Sequence, residues 1–150
     1  MTVHTMDANH YTADELATLR RIRTDIQVST VNHNNDGMGR WASQMFGQSL
    51  DKARTRCGTN AGQLFVAQAW VAGFQAGGGE RLSSLLGGRN DYIMAFISGA
   101  ATGDSLSVFS TDEAQATRQC VNDWQRQLRE IQRAHDNRFN RASRTHSANP

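Results

Sequence analysis

The sequence predicts an all-α fold: a single-domain bundle of five to six helices with a long amphipathic C-terminal helix. Three observations predict it. The only proline is Pro150, so nothing inside the chain breaks a helix by removing an amide. Apolar residues recur at three and four along most of the chain, the helical period, and no convincing pair of alternating strands exists. Turn-forming clusters of Gly, Asn and Asp fall between the periodic runs. A length of 150 residues fits one domain. A domain of that size buries about 68–70% of its unfolded surface, so it folds without a disulfide or metal.

Residues 1–11 have no periodicity and are expected to be disordered. Thr12 and Glu15 form a capping box, in which the hydroxyl takes a free amide and the carboxylate reaches back. A first helix follows over about 12–32, with Leu16, Leu19, Arg23, Ile26 and Thr30 at helical spacing. The run Asn32-His33-Asn34-Asn35-Asp36-Gly37 ends it. A second helix over about 38–57 carries Met38, Trp41, Met45, Phe46, Leu50 and Ala53, and Gly58 stops it.

Thr59 or Asn60 caps a third helix through Leu64, Ala67, Trp70, Val71 and Phe74. It is apolar nearly all round, so it belongs at the centre. Gly77-Gly78-Gly79 ends it, and a short helix over 80–86 precedes Gly87-Gly88. Asn90 or Asp91 caps a further apolar helix, 92–99, and residues 101–110 read as irregular. Ser110-Thr111-Asp112-Glu113 starts the last helix. Its apolar stripe is Ala114, Thr117, Cys120, Val121, Trp124, Leu128, Ile131, His135 and Phe139. The domain is expected to span 12–141, with a frayed tail over 142–150.

Cys57 and Cys120 make no Cys-x-x-Cys pair and read as two reduced, buried thiols. The N-terminus lacks the basic start and apolar core of a signal peptide. The longest apolar runs, 64–74 and 92–101, fall short of the about 20 residues of a membrane span. A soluble, cytoplasmic protein without membrane contact is the expectation.

Charge is segregated beneath a net +2. Residues 1–36 hold three cations against five acids; 37–90 hold six against two. Residues 91–113 hold four acids and no cation; 114–150 hold seven cations against three acids. Arginine supplies 15 of the 16 cations, and Lys52 is the only lysine.

Several patterns bear on chemistry. The stretch GFQAGGGERLSSLLGGRN, 73–90, has glycine spacing that invites a phosphate loop. A Walker loop, however, needs lysine and a hydroxyl where Gly79 and Glu80 stand. A dinucleotide loop needs a third glycine where Leu82 stands. These glycines read as joints between helices. Asn32 to Gly37 echoes an EF-hand calcium loop but keeps one carboxylate and ends on Ser43, where glutamate should close the shell. It reads as a turn. The histidines at 4, 10, 33, 135 and 146 lack zinc-site spacing, and no cofactor is implied.

Arg129 to His135, REIQRAH, is an Arg-x(4–6)-His run on a helix of an all-α protein. It resembles the ribonuclease motif of the HEPN superfamily. The resemblance implies a dimer in which Arg129 stabilises phosphate charge and His135 moves a proton. Glu130 departs from the polar residue often found after that arginine. On an ideal helix Arg129 and His135 lie about 120° apart.

Arg118, Arg126, Arg129 and Arg133 fall within an arc of about 80° on the last helix, and Arg144 joins them if the helix persists that far. Trp124, Leu128, Ile131 and His135 lie opposite. The result is an amphipathic helix with a basic outer stripe, chemistry that suits phosphate. The plainer reading is a solvated face, salted by Asp123, Glu130 and Asp136.

The expected function is a non-enzymatic helical interaction module, a small subunit or accessory factor that contacts nucleic acid through Arg118, Arg126, Arg129 and Arg133. The small all-α subunits of RNA-guided CRISPR effector complexes are similar in size, class and charge pattern. A protein partner or larger assembly is expected, and a homodimer is compatible with the pattern. One alternative is an inhibitor, immunity or phage accessory module without nucleic-acid contact. The other is the HEPN-like dimeric ribonuclease.

Overall fold

The computed structural model describes residues 10–32, 38–76 and 89–147; of these, 38, 107–108 and 142–147 are described as backbone only. The described residues form five α-helices and one short 3₁₀ turn, without a β-strand. The protein is an all-α bundle. The helices are α1 (Ala13–Asn32), α2 (Met38–Cys57), α3 (Thr59–Ala76), α4 (Asn90–Asp104) and α5 (Thr111–Ser147). The turn is Ser105–Val108. The triple glycine, the short helix over 80–86, the calcium-like turn from 33 and residues 1–9 lie outside the described residues.

The local signals at the helix ends are realised as hydrogen bonds. Thr12 N donates to Glu15 Oε1 at 3.0 Å, and Glu15 N donates to Thr12 Oγ1 at 3.1 Å. Ser110 Oγ accepts from Glu113 N at 3.2 Å and donates to Glu113 Oε1 at 2.9 Å, so at α5 the carboxylate takes the hydroxyl rather than the backbone amide. Gly58 adopts φ 94° and donates to Arg54 O at 2.9 Å, the left-handed stop that glycine takes without penalty.

Helix α3 is central. Leu64, Val66, Ala67, Ala69, Trp70, Val71 and Phe74 are all buried. It packs most extensively on α4 and then on α2, while α2 and α4 also meet. Ser98 Oγ of α4 donates to Ala42 O of α2 at 2.8 Å. The α3–α4 contact is backbone-close. A Cβ added at Gly73 would stand 2.0 Å from Phe96 O, and one at Gly99 would stand 2.0 Å from Trp70 O. Helices α1 and α5 flank this trio. Helix α1 contributes Leu19, Ile22, Ile26 and Thr30. Helix α5 contributes Ala114, Val121, Trp124, Leu128 and Ile131, with the Trp124 and Trp70 rings 6.1 Å apart.

Several expectations are corrected. Ile22, not Arg23, takes the core position in the middle of α1, because it falls in line with Leu19 and Ile26. Trp41 is 39% exposed and Phe139 is 52% exposed, so neither lies in the core. Both cysteines are free thiols but exposed. Cys57 is the last residue of α2, its Sγ on Ala53 O, and Cys120 lies one position outside the buried line through Val121.

Helix α4 runs on to Asp104, through a stretch read as irregular. Gly99 and Gly103 serve close packing against α3 rather than ending the helix. Its N-cap is Arg89, without a side-chain bond; Asp91, in the first turn, accepts from Tyr92 N and pairs with Arg56. Finally, order begins before Thr12. His10 takes φ 67°, a conformation in which histidine is enriched, and Tyr11 is buried.

Candidate nucleic-acid interface

Helix α5 has 37 residues, about 55 Å at 1.5 Å per residue. Its buried line is spaced three and four, which leaves the opposite face to solvent. Arg118, Arg126, Arg129 and Arg133 are all exposed on that face. They span fifteen positions, about 22 Å along the axis. The side chain of Arg144 is outside the described residues.

Their partners are sparse. Arg126 lies 3.8 Å from Asp123 Oδ1 and 3.8 Å from Glu130 Oε1. All three side chains are more than half exposed, so each pair contributes about 0–1 kcal/mol and exchanges readily for another anion. Among the described residues, Arg118, Arg129 and Arg133 make no ion pair.

Arg129 and Arg133 share a shallow depression with Gln68 of α3 and with Gln132, Asp136 and Asn137 of α5. Asp136 places one acid in this basic row, and Gln132 Nε2 donates to its Oδ1 at 2.8 Å.

The sequence reading missed an amide seam. Beside the apolar contact of Trp70 with Trp124, α3 and α5 also meet through side-chain amides. Gln68 Nε2 donates to Gln132 Oε1 at 3.3 Å. Gln75 Nε2 donates to Asn122 Oδ1 at 3.0 Å and to Gln125 Oε1 at 3.1 Å. These residues flank the arginine row, so the surface is a strip of guanidinium and amide donors. The partners lie 47 to 64 positions apart in sequence, and only the docking of α5 on α3 joins them.

The HEPN-like pair is split by this geometry. His135 lies between aromatic rings, 4.3 Å from the Tyr11 centroid and 6.5 Å from that of Phe139. Its side chain is 19% exposed, and its Nδ1 lies 3.7 Å from Asp136 Oδ1. Arg129 points instead to the α3 side of the helix, beside Gln68 and Gln125. A single α5 therefore does not bring the two side chains together.

No family model, curated protein or solved structure matches the chain. Among the described residues no three His, Cys, Asp or Glu side chains converge as metal ligands, and no helix is long and apolar enough to cross a membrane.

Proposed function

We propose that this protein is a non-enzymatic helical module that contacts nucleic acid along α5. One observation carries the reading: an exposed row of four arginines bordered by an amide seam, with Arg118, Arg129 and Arg133 free of ion pairs among the described residues. Phosphate oxygens take hydrogen bonds from arginine and from Asn and Gln amides, and such contacts position a protein on a strand without reading its bases. No aromatic ring stands in the row, so backbone contact, not base stacking, is the mode. The module works within a larger assembly that supplies sequence choice.

The test is anisotropy with a labelled oligonucleotide over a salt series. Each phosphate contact contributes about 0.7–0.9 to the slope of log K against log salt. Changing Arg126, Arg129 and Arg133 together to Glu should lower that slope by about 2 and weaken binding at every salt concentration. An unchanged slope removes the row as the contact surface.

A second reading, a protein-binding module, has one observation behind it. Val28 and Val31 of α1 are each 52% exposed, and Val28 borders a groove between α1 and α5 lined also by Cys120 and Trp124. Chromatography with light scattering, read at 260 and 280 nm in low and high salt, separates the two. Nucleic acid that salt strips away supports the first reading; a salt-indifferent protein supports the second.

A further inference from the structure

A second cationic cluster lies away from α5, at the junction of α1 and α2. Arg20 and Arg23 stand three apart on α1, a spacing that puts them on one flank of the helix. Arg54 of α2 completes the group. Its backbone is pinned by α3: a Cβ at Gly62 would stand 2.8 Å from Arg54 N.

Two features distinguish this cluster from an ordinary solvated face. The Nε atoms of Arg23 and Arg54 are both shut off from solvent, and neither has a hydrogen-bond acceptor among the described residues. Among the described residues, the one carboxylate paired with the cluster is Asp51, 3.9 Å from Arg54 Nη1 and itself 80% exposed. Burial, and then the charges of Arg54 and Arg20, hold Arg23 below the usual arginine range. Buried donors in folded proteins are almost always satisfied, and neighbouring like charges repel. An oxyanion held by the outer Nη groups of these arginines would offset that repulsion.

We propose that Arg20, Arg23 and Arg54 form a site for a phosphate-type oxyanion at the α1–α2 junction. The guanidinium fork suits tetrahedral oxyanions, which accept several N–H groups at once. A doubly charged phosphate balances more of the cluster than a single carboxylate does. The proposal is independent of the α5 reading, since no residue is shared.

The experiment is thermal unfolding near pH 7, in sodium phosphate and in sodium chloride at equal ionic strength. The proteins are the wild type and the double variant Arg23→Gln, Arg54→Gln. Phosphate at about ten times its dissociation constant should raise the wild-type Tm by about 3–6 °C over chloride, and the double variant should lose that gain. In chloride the double variant should be at least as stable as the wild type, because repulsion is relieved; a merely structural pair of arginines would make it less stable.

A second arm adds a short single-stranded oligonucleotide to a protein already changed to Glu at Arg126, Arg129 and Arg133. Protection by inorganic phosphate assigns the site to a free phosphate group. Protection by the oligonucleotide alone, lost in the double variant, assigns it to a nucleic-acid backbone. Equal phosphate gains in wild type and variant, or protection by neither ligand, overturns the proposal. Because the second arm lacks the α5 row, its outcome does not depend on the proposed function.

Discussion

Substituting alanine at Gly73 or Gly99 tests the claim that α3 and α4 touch backbone to backbone. At either position the new methyl would sit 2.0 Å from a carbonyl oxygen, that of Phe96 or of Trp70, where 3.0 Å is the practical floor. The helices must part by at least about 1 Å, because neither obstacle is a side chain that can swing aside. Overpacking of this kind costs about 1–3 kcal/mol, and rigid backbone on both sides puts these sites at about 3. Alanine returns about 1 kcal/mol of helix propensity, leaving a net loss of about 2. For a chain of this length the Tm should fall by about 4–8 °C. Gly47 of α2 is the control. Nothing lies within 4 Å of a Cβ there, so Gly47→Ala should raise Tm by about 2–4 °C. The double variant should lose less than the sum of the singles, since a crossing already opened by one methyl admits the second more cheaply. If Gly73→Ala matched the stability of Gly47→Ala, the close crossing would be refuted.

Three further outcomes are expected. Asp91 is buried and accepts from Arg56 Nε and Nη2, both at 2.9 Å, and from Tyr92 N at 3.0 Å. Asp91→Asn should therefore lower stability by about 2 kcal/mol, less than a fully buried pair because Arg56 reaches solvent, seen as a lower urea midpoint at unchanged slope. Arg138 bonds Glu15 and donates from Nε to His10 O at 2.8 Å, so Arg138→Gln should speed hydrogen exchange in the first turn of α1 and cost about 1 kcal/mol. Cys57 and Cys120 should both react with a thiol reagent in the native state; one reactive thiol per chain would contradict their exposure.

What could be read from the sequence was what neighbours in sequence decide. The capping box at Thr12, the hydroxyl cap at Ser110 and the stop at Gly58 act within a few residues, and the boundaries they set are observed. Helix α4 was misread at its far end because Gly99 and Gly103 look the same whether they break a helix or admit another one. The arginine row follows from periodicity on a single helix, so it was legible. The amide seam and the cluster of Arg20, Arg23 and Arg54 were not, because each needs two helices to be docked before its members meet. The aromatic stack of Tyr11 on His135 joins positions 124 apart, and no local pattern announces it.

That stack, with the Arg138 bonds to His10 and Glu15, clasps the start of α1 to the 135–138 stretch of α5. A linker of modest length from the end of α5 back to the start of α1 would then close the polypeptide into a ring, and new termini could be opened elsewhere on the surface. Two labels placed near Tyr11 and Phe139 should report short separations in the native state and long ones as soon as this clasp opens. They would give a direct optical gauge of whether α5 lets go of α1 before the rest of the bundle melts.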